Sequence, residues 1–183
     1  MTPEQKEVLE RIKANDQHPE RGEITLITEG SFRGCFVRET PDFFEWWHKN
    51  GQLGVRCNLK EGKLDGIYEG WHNNGQLSFR CNYENGKKDG LKECWYDNGQ
   101  LEERCNFKEG DEEGLWECWH ENGQLKFRCD CKDGRLNGLW EKWNANGQLV
   151  DLRWYKNNKL TRHLPFDDDT TRLTAKKKKG LKL

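Results

Sequence analysis

Asn98-Gly-Gln-Leu-Glu-Glu-Arg-Cys-Asn-Phe107-Lys-Glu-Gly-Asp-Glu-Glu-Gly114-Leu-Trp-Glu-Cys-Trp119-His-Glu121 is one copy of a repeating unit that decides the fold of the whole chain. The string Asn-Gly-Gln-Leu recurs with its asparagine at 50, 74, 98, 122 and 146, a period of 24 residues without insertion. A fixed period of this kind marks an array of small supersecondary units. Each copy is punctuated twice by an acidic or amide residue followed by glycine, here Asn98-Gly99 and Glu109-Gly110. Such dipeptides readily place both central residues of a two-residue hairpin turn at positive φ. The segments between them have nine and eleven residues alternately. The expected unit is therefore two strands and two tight turns, and the array an antiparallel meander of roughly ten strands.

Arithmetic tests that register. A two-residue turn centred on Asn98-Gly99 sets Glu93 opposite Arg104, and the same rule sets Glu45 opposite Arg56, Glu69 opposite Arg80 and Glu117 opposite Arg128. Each such pair contributes only about 0.2–1 kcal/mol, so the set specifies register more than it supplies stability. Strand alternation then predicts two faces. One collects Leu77, Phe79, Cys81, Cys105, Phe107, Phe127, Cys129 and their neighbours. The other carries Trp71, Trp95, Trp119 and Trp143 in one row, Ile67, Leu91, Leu115 and Leu139 in another, and the Glu–Arg pairs between.

Composition agrees with an extended sheet: the 33% apolar share, against 34% charged, is thin for a multilayer core. Net charge is −1, so no overall basic field draws the chain to nucleic acid or anionic lipid. No apolar run reaches the length of about 18 residues that a transmembrane helix needs. Residues 1–15 lack the apolar stretch of a secretory signal, which points to a reducing compartment. The eight cysteines fit that setting as small buried thiols. Equivalent cysteines of adjacent copies lie about 9.6 Å apart, beyond the roughly 7 Å between Cα atoms that a disulfide spans. Cys129-x-Cys131 lacks a second pair for zinc, and no cofactor motif occurs.

Catalysis needs unlike groups converging on one place, whereas this chain copies like groups along a ladder. His48, His72 and His120 share one repeat position, which points to a structural role beside Leu53, Leu77 and Leu125. The chain is expected not to be an enzyme. The Trp row with its arginines could stack bases, but each arginine is expected to face a glutamate.

Four regions follow. Residues 1–22 hold a helix opened by the capping box Thr2-Pro3-Glu4-Gln5, with Val8, Leu9 and Ile12 on one side, and then a linker. Residues 23–49 are a worn capping repeat, and 50–164 the array, whose last copy puts Leu152 at the arginine position and Asn157-Asn158 at the second turn. Residues 165–183 are a charged tail with Lys176, Lys177, Lys178 and Lys179, which could touch a membrane surface or nucleic acid.

The consensus Asn-Gly-Gln-Leu-x-x-Arg-Cys-Asn-Phe-Lys-x-Gly-x-x-x-Gly-Leu-x-Glu-x-Trp resembles the MORN-like repeat family over about residues 43–160, in the variant common in bacteria and in marseillevirus-type large DNA viruses. The Cys of Arg-Cys-Asn and the Trp of Glu-x-Trp look most like the viral versions. The resemblance implies an all-β fold: an elongated, single-layer antiparallel meander of stacked hairpins used as a scaffold or interaction surface. It further implies a minor capsid-associated component of a virus particle, located in the virion or host cytoplasm, with capsid proteins or a second copy as partners. Some bacterial members are antitoxins, so an inhibitor of one protein target is the alternative. The sheet faces are the expected contact surface, since large exposed apolar patches usually mark association sites.

Overall fold

The computed structural model describes residues 1–31 and 33–165. Helix α1 (Pro3–Ala14) starts as the capping box requires: Thr2 Oγ1 accepts from the Gln5 N–H at 3.2 Å, and Gln5 Oε1 accepts from the Thr2 N–H at 2.7 Å. Thirteen strands follow, each antiparallel to the next in chain order. They are β1 (Thr25–Leu26), β2 (Phe36–Thr40), β3 (Phe43–Trp47), β4 (Leu53–Lys60), β5 (Lys63–Trp71), β6 (Leu77–Glu84) and β7 (Lys87–Trp95). The series continues with β8 (Leu101–Lys108), β9 (Asp111–Trp119), β10 (Leu125–Lys132), β11 (Arg135–Trp143), β12 (Leu149–Lys156) and β13 (Lys159–Pro165). The expected ten correspond to β3 through β12. The extra strands come from the worn cap, whose β1 and β2 pair despite leaving the 24-residue spacing, and from the last copy, whose turn still closes β13.

The two turns of a unit differ in kind. Glu109 and Gly110 have φ of 53° and 100°, the two-residue turn that was expected. Asn157 and Asn158 reach 49° and 65° without glycine, using the tolerance of asparagine for this region. At the Asn-Gly-Gln-Leu corners the expectation needs correcting. Only the glycine is positive, Gly99 at 81°. The Gly99 N–H donates to Tyr96 O at 2.9 Å, and the Tyr96 N–H donates to Gln100 O at 2.9 Å. This is a three-residue loop with a glycine bulge. Asn98 Oδ1 accepts from the Gln100 N–H at 2.9 Å, a local bond that settles the asparagine in the loop.

The longer loop shifts register by one residue, and a bulge restores it between Trp95 and Cys94. Such a bulge re-aims side chains. Leu77, expected beside Phe79, lies opposite Trp71 instead, as Leu101 lies opposite Trp95 and Leu125 opposite Trp119. In the first unit Leu53 likewise packs with Trp47 beneath α1. The leucine thus joins the Trp face.

Away from the corners, register follows the arithmetic. Glu45–Arg56, Glu69–Arg80, Glu93–Arg104 and Glu117–Arg128 are Cα partners. Each arginine also faces the glutamate of the following strand, through Glu69, Glu93, Glu117 and Glu141, and Arg38 leads in opposite Glu45. One row of alternating charge therefore runs from β2 to β11 and ends on Leu152, which faces Glu141 and Leu164. The packed core sits at the start of this face, where Leu9 and Ile12 of α1 close over Ile24, Phe36 and Trp47.

Candidate partner-binding face

Corners of successive units stack through side chains. Asn98 Nδ2 donates to Glu121 O at 3.1 Å, and Asn50, Asn74 and Asn122 make the equivalent bond 23 residues on. Tyr96 Oη donates to Trp119 O at 2.8 Å. His48, His72 and His120 reach the carbonyls of Trp71, Trp95 and Trp143 through Nε2 at 3.3, 2.8 and 3.1 Å. The shared histidine position is structural, although its partner is a carbonyl two strands away rather than a leucine.

These stacked corners hold a track along one side of the face: Trp47, Leu53, Trp71, Leu77, Trp95, Leu101, Trp119, Leu125 and Trp143, alternating strand by strand. Beside it runs the charge row. Arg56 lies 5.8 Å from the Trp71 ring centre and Arg128 5.5 Å from that of Trp143, so the cations lean on the indoles as well as on carboxylates. Beyond the charges, Ile67, Leu91 and Leu115 are 46%, 38% and 44% exposed.

The ion pairs do not divide evenly. Glu45 holds both Arg38, at 3.1 Å, and Arg56, at 2.8 Å. Arg80 and Arg104 turn back to Glu69 and Glu93 at 2.7 and 2.8 Å. Arg128 turns forward to Glu141 at 2.5 Å. Glu117 faces two arginines in register and has an ion pair with neither, the one row carboxylate so left among the described residues. At the capped end the row is desolvated: Arg38 and Glu45 are each 1% exposed, and Arg38 also binds Asp16 and His18 O, the latter at 2.7 Å. Burial alone would raise the pKa of Asp16; the Arg38 bond and the His18 N–H outweigh it and lower the value.

The opposite face packs on itself. Cys57, Cys81, Cys105 and Cys129 are 0–5% exposed because a larger side chain stands opposite each in register, such as Tyr68 at Cys81 and Trp116 at Cys105. Tyr68 meets Phe79 edge-on at 4.8 Å, and Trp116 meets Phe127 at 5.5 Å. Phe107 is 7% exposed. Burial pushes the Cys57 thiol up to about 11 and those of Cys105 and Cys118 up to about 12. Such thiols stay protonated near neutral pH and are poor nucleophiles. Lys92 is held at 2.7 Å from Glu103; burial opposes its charge, and the carboxylate more than compensates, raising its pKa.

The sequence-predicted contact residues thus divide. Trp71, Trp95, Trp119, Trp143 and Leu77 share the track, while Phe79, Phe107 and Phe127 lie on the opposite face, where Phe107 is buried and Phe79 and Phe127 are half-buried against their neighbours. The tail lysines lie outside the described residues. Among the described residues no group of His, Cys, Asp and Glu is placed to hold a metal ion, and no helix is long and apolar enough to cross a membrane.

Comparison with known families identifies the unit. The model of the MORN repeat variant matches residues 64–85, 88–109 and 112–130, three consecutive copies. Residues 64–130 are a run of MORN-type repeats. Each match begins in the second strand of one hairpin and covers the first strand of the next, so the Asn-Gly-Gln-Leu corner sits inside the MORN unit. No curated protein matches the chain. Among solved structures, a crystal structure of accessory secretory protein 1,2 and 3 in Streptococcus pneumoniae is 17% identical over 74% of this chain, with a TM-score of 0.25. The chain spans 24% of that one's length, and so slight a likeness bears on neither shape nor function.

Proposed function

We propose that this MORN array is a non-enzymatic scaffold that binds a partner protein across its Trp-lined face. The observation that carries the reading is the track itself: the indoles of Trp71, Trp95, Trp119 and Trp143 are half-buried rather than covered, and α1, the only α-helix among the described residues, closes only the first rung at Trp47. Apolar surface of this extent on a soluble sheet usually marks an association site. MORN repeats generally mediate protein or membrane contacts, and an all-β MORN array is typically non-catalytic. In its narrower form, drawn from the viral character of Arg-Cys-Asn and Glu-x-Trp, the scaffold is a minor structural component of a large DNA virus particle. Mass spectrometry of purified particles should then find it at fixed stoichiometry.

The face is tested by co-purification. Trp95→Ala with Trp119→Ala should lose the partner that native protein retains, and Lys178→Ala should keep it. The opposite outcome would move the contact to the tail.

A further inference from the structure

The geometry points to the class of partner segment: a basic amphipathic α-helix laid along the Trp–Leu track, continuing the line that α1 begins. This rests on the scaffold reading and narrows it. Helix α1 is a worked example of such a seat. Its first turn lies near Leu26 and Gly34, and its last opens on a cleft of about 430 Å³ bounded by Ile12, Asn15, Trp47, Leu53, Arg56 and Trp71. The helix therefore runs across strands along the array, and the cleft at its end is the start of the open track. Val8 and Ile12 lie against Gly51 of the corner, and Arg11 donates to the Asn50 carbonyl at 2.6 Å. Asn74, Asn98 and Asn122 stand at the equivalent place of each later corner and are exposed residues, so their carbonyls repeat that acceptor.

Spacing also fits. Seven helical residues rise about 10.5 Å, close to the roughly 9.6 Å between equivalent strands, so a stripe with a heptad-like repeat meets successive Trp rungs. Charge sets the sign. Around the two central rungs Glu117 has no ion pair, and the exposed Asp97 and Glu121 stand at the adjoining corners without one, while Arg80, Arg104 and Arg128 are each matched. A helix presenting cations beside its apolar stripe satisfies these carboxylates; an acidic helix, or an anionic lipid surface, does not.

The test uses the full chain and two synthetic helical probes that share the Val-Leu-x-Arg-Ile spacing of residues 8–12. One carries lysine and the other glutamate at the remaining polar positions. Tryptophan emission should shift on adding the lysine probe, with affinity falling as salt rises, and the glutamate probe should bind at least about tenfold more weakly. Glu117→Gln should weaken the lysine probe roughly two- to fivefold, as expected for one part-exposed ion pair, with urea stability unchanged because no ion pair is lost. Glu117→Lys should narrow or reverse the preference between probes. Equal binding of the two probes, no binding of either, an unchanged preference in Glu117→Lys, or, with no probe present, binding of phosphatidylserine vesicles that is lost in the Trp95→Ala, Trp119→Ala protein would overturn the inference. If neither probe binds while the native partner is still lost in the Trp95→Ala, Trp119→Ala protein, the helix falls and the scaffold reading stands. Partner binding that survives those two changes removes the face itself.

Discussion

Replacing Arg38 by methionine should release the N-terminal cap and leave the central repeats folded. The guanidinium is 1% exposed and joins Asp16, the His18 carbonyl and Glu45. Methionine fills much of the space but leaves the Asp16 carboxylate, 9% exposed, without its counter-charge. It also leaves Glu45, 1% exposed, with Arg56 alone at 2.8 Å. Removing one partner of a buried ion pair costs about 3–5 kcal/mol. The retained Arg56 contact places this change near the lower bound, about 3 kcal/mol. Because repeats contact only their neighbours, the loss should stay local and expose Leu9, Ile12 and Trp47. Hydrogen exchange during a urea series measures it: amides of α1 should lose protection by about that amount while those of β8 to β11 keep theirs. Combining Arg38→Met with Asp16→Asn should cost less than the sum of the two. A loss below about 1 kcal/mol, or strict additivity, would refute the network.

Other consequences follow from the same contacts. The pKa of Asp16 is lower in the folded chain than in the unfolded one, so its contribution to stability is full above about pH 4 and is lost as pH falls through the folded value. Cap melting, followed by helix circular dichroism, should be flat from neutral pH down to that point and then steepen. A thiol reagent near pH 8 should leave Cys105 and Cys129, 0% and 2% exposed, unmodified in native protein and titrate all eight cysteines in guanidinium. Gly70→Ala would bring a Cβ within 2.2 Å of Phe79 Cε1 and should destabilise by about 1–3 kcal/mol through overpacking, measurable by urea midpoint. Asn98→Ala removes the bonds to Glu121 O and from Gln100 N–H, and should cost about 1 kcal/mol in the same assay.

The 24-residue beat carried most of the fold because turn chemistry and cross-strand charge are both local in sequence. Glu93 opposite Arg104 could be found by addition. The same addition failed for Leu77 because Asn-Gly permits a three-residue loop as readily as a two-residue one, and the bulge this introduces re-aims the leucine without altering the glutamate register. Arg38 is not legible in the sequence because its pairing to Glu45 depends on the short Pro41-Asp42 turn, which breaks the period; a buried arginine at a worn repeat leaves no periodic signal. Glu117 was legible as a register partner only. Its lack of an ion pair depends on Arg104 and Arg128 turning in opposite directions, a choice made by side-chain rotamers. The self-packing of the cysteine face was likewise hidden, since alternation assigns a side but not whether bulky neighbours close over it.

The central claim is that the Trp–Leu track is the surface a partner covers. Oxidative footprinting of the native complex measures this directly, comparing the indoles of Trp71, Trp95, Trp119 and Trp143 with Phe79 and Phe127 on the other face. Partner binding should protect the four indoles and leave the two phenylalanines at their free-chain rates. Protection confined to Phe79 and Phe127, or no change at any of the six, would contradict it.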